Sequence, residues 1–233
     1  MKIEGAISVK AAIEANKRKV EEVIIDSSNH NKNFNYIRKI AKERNISIKE
    51  VKSQDFINYH PGKTFGGILA EVSSREEDAF DSGDVFYICG IEDPYNIGYI
   101  LRNLYAFGVN NVILDKRDYD KLDSQILKSS AGAYDFINIK YSDFVENDIN
   151  ELKNKGYKVY GLTRTDNSKD IFDVEFSKPS LIIVGGEKRG INSKIMNSIV
   201  EYVYIPYGNN FRNSLNASNA LACVATLLYK QRK

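Results

Sequence analysis

The sequence predicts an α/β protein, a small α/β unit followed by a larger one built on a parallel sheet. Two observations carry this. Strand-like apolar runs alternate with helical stretches throughout residues 85–233, the pattern of a parallel sheet with helices on both faces. Ahead of them, Ser73-Ser74-Arg75-Glu76-Glu77-Asp78-Ala79-Phe80-Asp81-Ser82-Gly83-Asp84 is polar and acidic and reads as a connection between units. The expected organisation is 1–75, a linker at 76–84, and 85–233.

In the first unit, Ser8 is placed to cap a short helix running to Asn16. Val20–Asp26 alternates into a strand, and Phe34, Ile37, Ile40 and Ala41 recur at helical spacing. Residues 46–51 and 66–72 supply two more strands. In the second unit, strands are expected at 85–91, 111–114, 136–140, 157–163, 181–186 and 201–206, with a closing helix over roughly Ser214 to Lys230. A helix capped by Asn96 follows Pro94 and stops at Gly108.

Composition narrows the function. Cys89 and Cys223 sit in apolar runs and read as buried thiols; with only His30 and His60 besides, no zinc ligand set is expected, and no metal. No apolar stretch reaches the length of a membrane span and Met1-Lys2-Ile3-Glu4 does not open a signal peptide, so the expectation is a cytoplasmic protein with no membrane partner. Residues 1–75 hold 14 basic and 9 acidic side chains, whereas 76–233 hold 19 and 22. A polyanion-binding module beside a second functional unit has this distribution; so does a solvated surface with a chance imbalance.

Three constellations follow strands, where a parallel sheet presents its ligand site. Arg102 lies four residues after Gly98 near a helix start; it suits phosphate or carboxylate, or is a surface arginine. In Leu181-Ile182-Ile183-Val184-Gly185-Gly186-Glu187-Lys188-Arg189-Gly190, the paired glycines let backbone approach a ligand and Gly190 permits a positive φ. A β-branched residue at 186 is therefore expected to block the ligand and leave the fold intact. Ile205-Pro206 leads through Arg212, a candidate phosphate contact, to Ser214-Leu215-Asn216, where the serine and the asparagine read first as helix caps. Neither a Walker loop nor the dinucleotide fingerprint is present.

Together with Ser129-Ser130-Ala131-Gly132-Ala133, these segments resemble the TrmH/SpoU branch of the SPOUT methyltransferases over nearly the whole second unit. The opening run from Gly5 to Ile25 resembles, more loosely, the ribosomal-protein-like RNA-binding extension of several members. The resemblance implies a SPOUT-type sheet with a C-terminal deep trefoil knot, S-adenosyl-L-methionine as cofactor, a homodimer, and methyl transfer to a ribose 2′-hydroxyl of rRNA or tRNA. It places Arg102, Asn96, Glu187, Ser214 and Asn216 in the active site and Thr163, Gly185, Gly186, Gly190, Ile205 and Leu215 around the cofactor; the cations Lys188, Arg189 and Arg212 are expected to face RNA. Tyr207 departs from the family's usual methionine, and Lys188 and Arg189 from its acidic or small residues. Two other classes fit parts of the chain: a non-catalytic RNA-binding relative, and a nucleotide-binding oxidoreductase lacking its glycine fingerprint.

Overall fold

The computed structural model describes all residues except Ile57, residues 60–65, 187–189 and 211–212. The chain forms two compact units, Met1–Glu76 with Asp118–Phe136, and Glu77–Arg117 with Ile137–Lys233. The sequence reading assigned all of 85–233 to the second unit. The structure differs because 118–136 carries the partners of a buried cation in the first.

The first unit runs β1 (Lys2–Glu4), α1 (Ala6–Ala15), β2 (Val20–Asp26), α2 (Lys32–Glu43), β3 (Ser47–Val51), α3 (Ser53–Phe56) and β4 (Ile68–Val72). Its sheet has the order β1-β4-β2-β3, with β4 antiparallel to β1 and β2 and β2 parallel to β3. Helix α2 buries the four residues its periodicity marked, Phe34, Ile37, Ile40 and Ala41. Ser8 is not a cap: it is buried inside α1, which starts after Gly5. Gly5 has φ 87°, a region a Cβ disfavours.

Helices α5 (Asp123–Ser129) and α6 (Ala133–Phe136) complete this unit. Ser130 joins them, its hydroxyl donating to the Leu127 carbonyl at 3.0 Å and accepting from the Tyr134 amide at 3.1 Å. Gly132 must be glycine: its φ is 88°, and a Cβ there would sit 2.6 Å from the Cβ of Ala11 in α1. Arg18 reaches Asp123 (Nη1–Oδ2 2.5 Å, Nη2–Oδ1 3.1 Å) and Asp135 (Nη2–Oδ1 2.7 Å, Nε–Oδ1 3.2 Å). Arg75 stands 3.9 Å from Asp135, and both guanidiniums lie near the Tyr134 ring, 5.7 and 5.2 Å from its centre.

The second unit contains β5 (Val85–Cys89), α4 (Pro94–Ala106), β6 (Asn111–Asp115), β7 (Asn138–Ser142), α7 (Val145–Asn154), β8 (Lys158–Leu162), β9 (Lys169–Asp170), β10 (Ser180–Gly185), α8 (Ser193–Met196), β11 (Glu201–Tyr204) and α9 (Ala217–Arg232). Every neighbouring pair in the sheet β7-β6-β5-β10-β8-β11-β9 is parallel. Its central strands are buried on both faces, as the unbroken apolar runs require. Residues 77–81 run beside β7: Asp78 and Ile139 exchange hydrogen bonds, and Glu77 Oε1 accepts from the Tyr141 amide. The α9 face holding Leu221, Val224, Ala225 and Leu228 is buried, whereas Cys223, expected inside, is exposed on the other side.

Candidate functional site

Parallel strands point their carboxyl ends the same way, so the loops after β8, β10 and β11 gather at one edge. There they line a cavity of about 310 Å³ with Thr163, Gly185, Gly186, Gly190, Ile205, Ser214 and Leu215. All six residues expected around the cofactor are in this wall. The volume falls in the range of small-molecule sites, about 300–1,000 Å³.

The glycines have distinct reasons to be there. A Cβ on Gly185 would stand 2.1 Å from the carbonyl carbon of Gly190, and one on Gly186 would stand 2.7 Å from the Gly90 carbonyl oxygen. Gly190 has φ 61°, and its amide donates to Gly186 O at 2.9 Å, turning the loop back on itself. The expectation that a β-branched residue at 186 would spare the fold is therefore overturned. Its side chain meets neighbouring backbone before it meets a ligand.

Two helix starts meet beside the cavity. Asn216 caps α9, its Oδ1 accepting from the Ser218 amide at 2.9 Å and hydroxyl at 2.7 Å, while its Nδ2 donates to Asn96 Oδ1 at 3.2 Å. Asn96 is not itself a cap. Asp93 caps α4, accepting from the Asn96 amide at 2.8 Å, and Pro94 opens the helix, because its fixed φ and missing N–H suit a first helical residue. Gly108 follows α4 with φ 80°, as expected. Asn103 Nδ2 adds a bond to the Ser218 carbonyl at 3.3 Å. Asn216, not Ser214, caps the last helix.

Arg102 is exposed on α4, forms no ion pair with a described residue, and is not in the cavity wall. Glu187, Lys188, Arg189 and Arg212 lie outside the described residues. Arg164, Tyr204 and Tyr207 are among the wall residues that the sequence reading did not assign to the site. Arg164 rests over Tyr204 and Tyr207, its guanidinium 4.8 and 5.8 Å from the ring centres, a cation–π arrangement. The Tyr207 hydroxyl accepts from the Leu215 amide at 3.0 Å, fastening the two ends of the loop between β11 and α9. The signal in the sequence was Tyr207 itself, standing where the resembling family has methionine.

Residues 85–226 match the family model of the SpoU rRNA methylase family, and residues 2–77 match that for RNA 2′-O ribose methyltransferase substrate binding. A TrmH family tRNA/rRNA methyltransferase of Staphylococcus saprophyticus is 30% identical, over 99% of this chain and 95% of its own. One from Staphylococcus aureus is 29% identical, over 91% and 89%. Among solved structures, an RNA methyltransferase of the TrmH family from Porphyromonas gingivalis superposes with a TM-score of 0.81 at 20% identity, covering 100% of this chain and 90% of that one. The SpoU methyltransferase AviRb from Streptomyces viridochromogenes, in complex with AdoMet, gives 0.79 at 20% identity, with the same coverage. The two sequence models span nearly the whole chain, in the order the cavity and the N-terminal unit require: the chain belongs to the SpoU rRNA methylase family and is an RNA methyltransferase.

Proposed function

We propose that the cavity at the ends of β8, β10 and β11 holds S-adenosylmethionine and that methyl transfer to a ribose 2′-hydroxyl takes place between it and the start of α4. The wall fits that cofactor: Gly185, Gly186 and Gly190 present bare backbone to the cavity, the first two packed against neighbouring backbone, and Ile205 and Leu215 supply apolar surface. S-adenosylmethionine supplies a methyl group on a positively charged sulfur, so no metal is needed to activate the leaving group.

The protein's own task is to align the 2′-oxygen and receive its proton. Asn96 and Asn216, joined by their amides, are suited to orient the ribose, with Ser214 in the cavity wall beside them. Arg102 has no carboxylate partner among the described residues, which leaves its planar fork for an RNA phosphate. Because a guanidinium holds its proton so firmly, it acts in this reading by fixing that phosphate as the acceptor. Glu187 belongs to the same site by family resemblance.

The finer features are part of the same reading. A deep trefoil knot would thread the C-terminal segment past the loop after β10. Gly185, Gly186 and Gly190 share one cavity wall with Asn213, Ser214 and Leu215, and this proximity of the two segments supports such a crossing. A homodimer is supported by the exposed Tyr95 and Tyr99 on α4, aromatics of the kind enriched at interfaces. The substrate is rRNA or tRNA, held in part by the N-terminal unit, and the enzyme is cytoplasmic.

The joined helix starts beside the glycine-walled cavity carry the proposal. Labelled S-adenosylmethionine and rRNA or tRNA from cells lacking the gene test it in a single-turnover assay. Arg102→Ala is expected to leave cofactor affinity nearly unchanged and slow transfer by about 100-fold or more, about 2.7 kcal/mol of barrier. Near-normal transfer by that variant would remove Arg102 from the mechanism, and absence of cofactor binding by the wild-type protein would remove the cavity.

A further inference from the structure

The turn between β5 and α4 brings Asn96 and Arg102 to the site, and one side chain from outside it holds that turn. Asp115 ends β6. Strand register places Leu114 opposite Ile88, and Cys89 opposite Gly185, so Asp115 stands level with Cys89 and Gly185, and Gly90 and Gly186 follow directly after them at the ends of adjacent strands. Asp115 Oδ2 accepts from the Gly90 amide at 2.6 Å, and Oδ1 accepts from the Tyr87 hydroxyl at 2.5 Å. Both bonds are charge-assisted and of the short kind such bonds favour.

Gly90 is the pivot. Its φ of 68° lies where side chains are disfavoured, so no bulky residue helps define its path. Its carbonyl packs against Gly186 too closely for a methyl group to stand between them. Three residues later Asp93 caps the helix that carries Asn96 and Arg102. Burial and the neighbouring carboxylate keep the Tyr87 phenol protonated far above its usual range, so it is a constant donor to Asp115.

We propose that Asp115 is a positioning residue for methyl transfer: its carboxylate fixes the Gly90 turn against the cavity's glycine loop and thereby places Asn96 and Arg102. The proposal rests on the role assigned above to Arg102. Misplacement by about 1 Å costs on the order of 100-fold in rate. Asp115→Ala is therefore expected to slow single-turnover transfer, at saturating cofactor and RNA, by about 10- to 100-fold, with the cofactor Kd changed less than about threefold. Asp115→Asn still accepts from the Gly90 amide and is expected to recover most of the rate.

A double-mutant cycle with Arg102→Ala separates positioning from general loosening, since residues acting through one another are non-additive. In the Arg102→Ala background, Asp115→Ala is expected to lose most of its effect, the remainder reporting the placement of Asn96. A full additional loss there, or a normal rate for Asp115→Ala alone, overturns the proposal. Should Asp115→Ala not fold, Asp115→Glu keeps the charge but displaces the turn, and is expected to give the same non-additive loss; a normal rate for it is equally fatal. Arg102→Ala taken alone reports on the proposed mechanism, so the two failures are distinguishable.

Discussion

Arg18→Met removes the one buried guanidinium that holds both Asp123 and Asp135. The three side chains are 0%, 3% and 0% exposed, and four nitrogen–oxygen contacts of 2.5–3.2 Å bind them. Burial works against the Arg18 charge, but the bonds to Asp123 and the attraction of Asp135 outweigh it and hold the group protonated above its ordinary range. Methionine keeps most of the volume, so the change is mainly electrostatic. Breaking a buried pair from one side leaves an uncompensated charge and costs about 3–5 kcal/mol, a large share of the ~5–15 kcal/mol that holds a protein folded. Arg75, 3.9 Å from Asp135, places the expectation in the lower half of that range. Chemical denaturation followed by circular dichroism measures it. Adding Asp123→Asn should restore much of the loss, because the neutral group no longer needs the guanidinium while Asp135 keeps its charge opposite the buried Arg75. A loss under about 1 kcal/mol for Arg18→Met, or no recovery in the double variant, would refute the reasoning.

Gly186→Val is expected to lower the melting temperature together with cofactor binding, since a Cβ would lie 2.7 Å from the Gly90 carbonyl oxygen; a normally stable variant that fails only in calorimetry with S-adenosylmethionine would contradict this. Lys158 and Lys169 hold the Glu201 carboxyl below its ordinary pKa, at 2.5 and 2.7 Å. A lowered carboxyl pKa adds stability above the unfolded value, about 4.3, that is lost as pH falls through the folded one. Glu201→Gln should therefore destabilise at pH 7 and much less near pH 3, as read from denaturant midpoints. Arg232 grips Asp84 with two bonds of 2.9 and 3.0 Å and also donates to the Phe176 and Ser177 carbonyls. Arg232→Ala should cost about 1.5–3 kcal/mol, measured by thermal unfolding.

Much of the fold was legible because apolar period reports burial directly. The run Phe34, Ile37, Ile40 and Ala41 and the apolar strands at 85–89, 111–115 and 180–185 needed no partner information. The glycine loop was legible for a similar reason, since two glycines after a buried strand are costly unless backbone needs the space. Helix starts were not. Asp93 and Asn96 are both good caps, and only the path of the turn at Gly90 decides that Asp93 accepts from Asn96. The strand expected at 136–140 begins at Asn138, because Phe136 still belongs to the helix that carries Asp135. Pairs such as Arg18 with Asp123, 105 residues apart, leave no trace in local pattern.

That pair also changes what the charge count means. Residues 1–75 carry 14 basic and 9 acidic side chains, an excess that pointed to a polyanion. Two of the 14, Arg18 and Arg75, are buried, facing Asp123 and Asp135 rather than solvent. The excess open to a phosphate backbone is correspondingly smaller. Removing residues 1–75 to test RNA binding would at the same time leave Asp123 and Asp135 without either arginine, so lost affinity would report lost structure. Surface lysines such as Lys32 and Lys52, both exposed, offer the cleaner probe: each true phosphate contact removed lowers the salt slope by about 0.7–0.9, whereas a solvated lysine leaves it unchanged. Electrostatic recognition by this unit is thus to be sought in individual exposed cations, because part of its apparent charge is internal structure.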